Sequence, residues 1–353
     1  MKVAIVGPIP PPNGGMAMQT QQLIRLLEKA GLEVTHIATN SPYRPDFIAN
    51  IPVVRALFRL VRYFFTLLNS LKNVQIIHLM ANSGWSFYLF AMPVIYIASW
   101  NKVPVIMNYR GGLAAEFFDR DWRWIKGAVQ RVDKIIVPSG FLKGVFAQYG
   151  VNSTIIPNIV DLSIFDYHPV QLNKESLHIV ITRNLEAIYD NKTAIEGFAL
   201  FAKNAPQSRL SIAGSGELED ELKALVATLG ISDKVSFVGR LSREDIAALY
   251  QSADILLNTS LVDNTPNSII EALACGLVVV SSDVGGIPYL VTDNQHAYLM
   301  PPQSKKWVAK RLNSVIEQPD VARRIARNGY GKVSAFTPNV VITKLISLYQ
   351  ESI

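Results

Sequence analysis

Short apolar runs rich in β-branched residues alternate with longer stretches of helical periodicity along the 353 residues. KVAIVG, EVTHIAT, QIIHLMA, PVIMNY, KIIVPS and STIIPN mark the first half; HIVITR, RLSIAG, VSFVG, DILLNT and LVVVSS repeat the rhythm after the polar stretch DYHPVQLNKES at 166–176. Strands apolar on both faces and separated by helices predict parallel sheets covered on both sides. At roughly 100 to 200 residues per domain, the length predicts two doubly wound α/β domains joined near 165–177. The last segment, TPNVVITKLISLYQESI, carries Val341, Leu345 and Leu348 at helical spacing and predicts a terminal helix. In sheets of this class ligands bind beyond the carboxyl ends of the strands, where the strand order reverses. The loops after strands are therefore where chemistry is to be sought.

Composition narrows the class. A hydrophobic content of 49% with 18% charged residues is that of a folded chain with sizeable cores. The net charge of +6 and a pI near 9.2 suit anionic partners without choosing among them. Cys275 is the single cysteine, so no disulfide framework is expected, and no Cys or His cluster has metal-ligand spacing. This predicts a reducing, cytoplasmic setting and no bound metal. The opening MKVAIVGPIP is too short an apolar run for a signal peptide and predicts a first strand. The uncharged stretch Trp85–Asn101 contains Pro93 and falls short of a bilayer span, so a buried helix is expected there.

The densest polar chemistry lies in LVDNTPNSIIEALACGLVVVSSDVGG, 261–286. Asp263 and Glu271 have seven residues between them, the first in a loop and the second inside a helix that Pro266 can open. Such a helix start offers unpaired amides, and Asn267 and Ser268 add side-chain donors, where a diphosphate can sit. By spacing alone, the same segment is equally a core helix with Glu271 on its solvated face.

The segment resembles the donor-site motif of the retaining family 4 glycosyltransferases, the "glycosyl transferases group 1" of GT-B fold. That motif reads acid, seven residues, Glu-Ala-Met-Ala-x-Gly-x-Pro-Val-Val, then Gly-Gly. Here Asp263 and Glu271 are followed by ALACGLVVV and by Gly285 and Gly286. The resemblance implies an α/β architecture of two Rossmann-like domains facing a cleft. An acceptor domain would span 1–165, a nucleotide-sugar domain 166–335, and a helix at 336–353 would cross back to the first domain. Glu271 would hold the donor ribose and Asp263 the hydroxyls of the transferred sugar, one methylene shorter than the Glu usual there. Arg183 and Lys192 would neutralise the diphosphate, whose charge grows in the transition state.

Further positions follow from the same resemblance. Gly214 and Gly216 form the next strand-turn-helix unit and would border the donor, and Glu219 stands where a dinucleotide fingerprint would need a third glycine. The loop at Arg240 and Leu241 would hold the base through its backbone. Gly14 and Gly15, after Asn13, would approach the diphosphate. Pro157, Asn158 and Asp161 belong to a hinge segment and are architectural. Arg110 stands where many relatives carry a His that touches the transferred sugar; it can supply a fixed charge but cannot accept a proton. His78, read as ending its strand, is the substitute candidate.

Residues 52–72 place Arg55, Arg59 and Arg62 at helical spacing among Leu and Phe. This predicts either a core helix with a solvated Arg stripe or a basic amphipathic helix at an anionic membrane surface. The reading as a whole is a hexosyltransferase that moves a sugar with retention from a UDP- or GDP-sugar to a hydroxyl of a glycan or lipid-linked acceptor. Its setting would be bacterial polysaccharide or glycolipid assembly, in the cytoplasm or peripheral at the inner membrane face. Neither metal, cofactor nor nucleic acid is expected. The alternatives are a nucleotide-sugar-binding protein without transferase activity, and an epimerase or phosphorylase on the same fold.

Overall fold

The computed structural model describes residues 1–11, 14–40, 52–172 and 176–353, with the side chains of 52–59 and 72 outside the description. Asn13, the side chains of Arg55 and Arg59, and the middle of the predicted junction at 173–175 therefore lie outside the described residues. The chain divides into two compact units, 1–159 with 338–353, and 160–337. The division falls six residues ahead of the predicted 165/166 boundary, and the hydrogen bonds of two adjacent residues explain where. Both backbone groups of Ile159 are bonded to the buried side-chain amide of Gln19, each at 3.0 Å, whereas the amide of Val160 donates to Phe336 O at 2.9 Å. Adjacent residues are thus tied to different units.

In the first unit the order is β1 (Lys2–Gly7), α1 (Gly15–Lys29), β2 (Glu33–Ala38), α2 (Pro52–Ser70), β3 (Ile76–Ala81), α3 (Met92–Asn101), β4 (Val105–Tyr109), α4 (Ala114–Val129), β5 (Lys134–Val137), α5 (Gly140–Gln148) and β6 (Thr154–Ile155). The strands pair in parallel in the order β2-β1-β3-β4-β5-β6. Side chains alternate between sheet faces, so Ala4, Val6, Ile77 and Met107 enter one core while Val3, Ile5, Ile76 and Ile106 enter another. The second face is closed by α1 and by the final helix of the chain, whose Val341, Leu345 and Leu348 are buried there. Each such aliphatic side chain contributes roughly 1.5–3 kcal/mol by leaving water.

The second unit comprises β7 (His178–Thr182), α6 (Asn191–Phe201), β8 (Arg209–Ala213), α7 (Glu219–Thr228), β9 (Val235–Gly239), α8 (Arg243–Gln251), β10 (Ile255–Asn258), α9 (Asn267–Ala274), β11 (Val278–Ser282), α10 (Ile287–Leu290), β12 (Tyr298–Met300), α11 (Lys305–Glu317) and α12 (Pro319–Gly331). From it the chain returns to the first unit as α13 (Pro338–Gln350). The parallel order is β12-β11-β10-β7-β8-β9. Strands succeed one another to one side from β7 and to the other from β10, so the order reverses between those two. Ile179, Ile181 and Leu257 pack on one face with α6 and α11, and Val180, Leu256 and Val279 on the other with α8 and α9.

One expectation is corrected here. Residues 85–101 form a continuous helical run, with a π turn at Phe87–Ala91 leading into α3. Only one side of it is buried: Phe87, Ala91, Val94, Ile95 and Ala98 are in the core, while Trp85, Leu89, Tyr96 and Trp100 are exposed. Four large apolar side chains therefore remain in water on a helix that hydropathy alone assigns to the interior.

Candidate functional site

β7 and β10 flank the reversal of strand order in the second unit, and the first polar residues beyond them meet. Arg183, immediately after β7, donates from Nε to Asn258 Oδ1 at 3.1 Å and forms an ion pair with Asp263. Its guanidinium carbon lies 5.1 Å from the centre of the Tyr189 ring. Asn258, the last residue of β10, is itself immobilised: Ser260 Oγ donates to its Oδ1 at 2.8 Å, and its Nδ2 donates to Ser281 Oγ at 3.0 Å. Ser282 Oγ donates to Ser260 O at 2.6 Å, which carries the network to the end of β11. The side chains of Arg183 and Asp263 are only 15% and 14% exposed. Burial pushes the Asp263 carboxyl up, and Arg183 opposes that rise. A partner is required in such a setting, because a buried unpaired charge is expensive. Arg183 is accordingly not a free cation awaiting phosphate; an incoming anion must share it with Asp263.

Glycines hold both residues in place by leaving room for backbone. A Cβ on Gly285, whose φ is +54°, would sit 2.0 Å from Asp263 O, and one on Gly286 would sit 1.8 Å from Asn264 O. Gly286 N also donates to Asp263 O at 3.0 Å. Likewise a Cβ on Gly214 would lie 2.0 Å from Arg183 O, and one on Gly216 would lie 2.3 Å from Leu185 O. The space a side chain would need at these two glycines is filled by the chain's own loop after β7. Their lack of a side chain lets the loop carrying Arg183 pack against them.

Pro266 caps α9 with extended backbone instead of lying inside its first turn. Asn267 is the first helical residue, and Ser268 follows with its hydroxyl buried and without a hydrogen-bond partner among the described residues. Glu271 lies one turn further. Burial raises its pKa to about 7, against the opposing charges of Arg243 and then Arg183. Near neutrality the carboxyl thus divides between its protonated and ionised forms, and a ligand that prefers one of them can select it.

The remaining predicted residues of this unit also lie beyond carboxyl ends of strands. Lys192 is exposed in the first turn of α6, whose cap Asp190 accepts from Thr193 N at 3.3 Å. Thr259 Oγ1, just past β10, lies 3.1 and 2.9 Å from the carbonyls of Tyr189 and Asp190, so this turn is packed on the same strand end as Arg183. Arg240 is exposed after β9 and donates from Nε to Ser215 Oγ at 2.6 Å, with Leu241 half-buried beside it.

In the first unit, Arg110 follows β4 and donates to two amide oxygens: Nε to Asn108 Oδ1 at 3.1 Å and Nη1 to Asn158 Oδ1 at 2.6 Å. Among the described residues no carboxylate forms an ion pair with it. Burial lowers its pKa to about 10, which leaves it charged at neutral pH. His78 does not end its strand. It sits within β3, fully buried, between Tyr349 OH at 2.7 Å from Nδ1 and Asn108 Nδ2 at 3.1 Å from Nε2. Burial, helped by the charge of Arg110, lowers its pKa to about 3, so it is a neutral core residue and no substitute base. Gly14 caps α1 with φ −112°, and a Cβ there would meet nothing among the described residues. Gly15 opens that helix and is exposed.

Two family models match the chain: glycosyltransferase family 4 over residues 13–164 and glycosyl transferases group 1 over residues 166–332. The chain belongs to this glycosyltransferase family. Its similarity to mannosylfructose-phosphate synthase of Agrobacterium fabrum is 30% identity over 165 residues, 44% of this chain and 36% of that protein. To glycogen synthase of Mycobacterium tuberculosis it is 23% over 279 residues, 74% of this chain and 66% of that one. To D-inositol 3-phosphate glycosyltransferase of Streptomyces bingchenggensis it is 31% over 136 residues, 36% of this chain and 30% of that one. The chain thus spans about a third of the length of two of these relatives. The GT-B architecture is shared with Anabaena Alr3699/HepE, solved in complex with UDP, at a TM-score of 0.78 and 17% identity over 99% of this chain and 100% of that one.

Three residues of the candidate site escape a reading by motif. Asn258 fixes the azimuth of Arg183; its signal is a single polar residue ending the apolar run DILLN. Tyr189 shelters the guanidinium, and Arg243 carries the largest opposing charge on Glu271 while stacking 5.4 Å from the Phe165 ring centre. Neither has a local signal, because each reaches the site only through tertiary packing.

Proposed function

We propose that this chain is a retaining glycosyltransferase that moves a hexosyl group from a UDP- or GDP-sugar to a hydroxyl of a glycan or lipid-linked acceptor. The observation that carries this reading is the meeting of Arg183, Asp263 and Glu271 at the reversal of strand order, beside the start of α9. The diphosphate lies against Arg183, Lys192 and the first turn of α9, where fixed positive charge and helix amides favour an anion. As phosphate approaches, Arg183 is shared, and Asp263 is released in part toward the sugar hydroxyls. Glu271 in its ionised form accepts from the ribose hydroxyls. Arg240 and Leu241 border the base.

Charge on the leaving diphosphate is met by side chains and amides, without a metal ion. Transfer proceeds on the face from which the diphosphate departs: the C1–O bond to phosphate breaks, the acceptor oxygen bonds to C1, and its proton passes to the departing phosphate oxygen. No protein nucleophile is needed, and catalysis rests on position and charge. Similarity to a glycogen synthase and, in fold, to a lipopolysaccharide outer core galactosyltransferase supports a place in bacterial polysaccharide or glycolipid synthesis. Among the described residues no helix is long and apolar enough to cross a membrane. The reading is of a cytoplasmic protein that meets an anionic membrane surface through 52–72.

A thermal-shift screen against UDP-, GDP- and ADP-sugars tests the donor, since a ligand of the native state raises Tm with its occupancy. One nucleotide class is expected to raise Tm, and Glu271→Ala to abolish the rise. If no sugar nucleotide shifts Tm, or if folded Glu271→Ala binds and turns over as wild type does, the site assignment is wrong.

A further inference from the structure

From 47 to 115 the chain has no acidic residue and six basic ones, Arg55, Arg59, Arg62, Lys72, Lys102 and Arg110. The first unit carries 17 Lys and Arg against 8 Asp and Glu, while the second carries 17 against 20. The basic balance of the whole chain is therefore a property of the first unit.

The exposed apolar side chains gather in this same stretch. Trp100 is 87% and Trp85 78% exposed, with Leu89 and Tyr96 on the same side of the helical run 85–101. Beside it, α2 exposes Val61, Phe64 and Phe65, and the two helices share a groove of about 390 Å³ lined by those three with Tyr88, Leu89 and Pro93. At the other edge, the Arg131 guanidinium lies 5.2 Å from the Tyr96 ring centre. Next along α4, Trp124 is exposed with Arg123 stacked 4.7 Å from its ring centre. Acidic residues return only within α4, where Asp121 is paired to Arg120 at 2.7 Å.

A face that exposes three Trp and two Phe is poorly suited to water alone, and contiguous apolar patches mark contact sites. Indole rings favour the headgroup zone of a bilayer, and flanking Arg and Lys gain from anionic lipid. A second copy is the competing occupant. It would bring α2 and the run 85–101, a stretch with basic and no acidic residues, against themselves, and like charge opposes that pairing.

We propose that the membrane-contacting surface is this three-helix face, with Trp85, Trp100, Phe64 and Phe65 entering the headgroup zone and Arg62, Lys102, Arg123 and Arg131 on lipid phosphates. The inference rests on the membrane reading above and enlarges it from one helix to α2, the run 85–101 and α4.

Flotation of the full chain with vesicles of phosphatidylcholine alone, or with added phosphatidylglycerol, tests it. Wild type is expected to float with the anionic vesicles only, and less so as salt rises. Trp85→Ala with Trp100→Ala is expected to lower binding about tenfold or more, since each anchor loses its buried area, with Tm and the donor-induced thermal shift unchanged. Arg62→Glu is expected to weaken binding chiefly at low salt. Wild type that ignores anionic vesicles overturns both this inference and the membrane reading. If Arg62→Glu abolishes flotation while the double Trp variant floats as wild type, the three-helix face is overturned and the membrane reading stands. A concentration-dependent dimer lost in the double Trp variant, with no flotation of wild type, assigns the face to a second copy instead.

Discussion

Arg183 and Arg110 each follow a strand of a parallel sheet, yet they are held in opposite ways. Arg183 has a carboxylate partner, Asp263, and one amide oxygen; Arg110 has two amide oxygens and no ion pair among the described residues. The first cation is neutralised until something displaces or shares its partner, whereas the second presents its full charge at rest. The same contrast separates the glycines: Gly285 and Gly286 are packed against backbone, while a Cβ on Gly14 would meet nothing among the described residues. A pair that is closed in the free protein makes the response to ligand depend on competition. An open cation responds to any anion that reaches it.

The sharpest way to break this comparison is to remove the partner. Asp263→Ala leaves Arg183 with an uncompensated charge and is expected to cost about 3–5 kcal/mol in denaturant unfolding. Arg110→Met is expected to cost about 1–2 kcal/mol, the value of hydrogen bonds lost with no carboxylate stranded. Equal costs would mean that the two sites are electrostatically alike.

Next in size is the pH response of Glu271. Its folded pKa of about 7 exceeds the ordinary value of 4.5, so the native state binds the proton more tightly and loses stability as pH rises from about 4.5 to 7. Glu271→Gln should therefore be more stable than wild type at pH 8, by on the order of 2 kcal/mol, and no different below pH 4.5. Donor affinity should rise as pH climbs through 7, because ribose hydroxyls favour the ionised form. A thermal melt series over pH 4 to 8 with both proteins decides this, and a pH-independent difference would disprove it. His78 works in the other direction: its pKa is depressed to about 3, so the first unit loses stability as pH falls below the ordinary 6.5.

Smaller still are the glycines. Gly286→Ala must displace the Asn264 carbonyl, and is expected to cost about 2 kcal/mol with loss of donor-induced thermal shift. Gly14→Ala meets nothing among the described residues and is expected to stay within about 0.5 kcal/mol. Parity between the two would place the packing elsewhere.

Much of the molecule was legible in its residues. The alternation of β-branched runs with helical spacing foretells two parallel sheets, since strands covered on both faces have no polar side to show. The acid spacing at Asp263 and Glu271, with Gly285 and Gly286 behind it, points to the donor site. Less legible were roles that depend on what lies across a gap in sequence. That the loop carrying Arg183 packs where Gly214 and Gly216 lack a side chain is visible only in the fold. His78 reads as a strand end and turns out to lie beneath Tyr349, 271 residues away. Trp85–Asn101 reads as an interior helix because it lacks charge, but lack of charge does not specify which side faces the core.

What the sequence by itself determined is the kind of element at each place and the presence of a donor motif, because both are written in local spacing: continuous β-branched runs or period 3.6, and one acid before a proline with another about one and a half helical turns after it. Only the tertiary structure decided which charges are spent. It set Asp263 against Arg183, left Arg110 with amides alone, raised Glu271 to the edge of ionisation, and turned a Trp-rich stripe outward. The reason is physical. Ionisation, exposure and pairing depend on the groups within a few ångströms, and in a doubly wound sheet those groups come from strands and loops far apart along the chain.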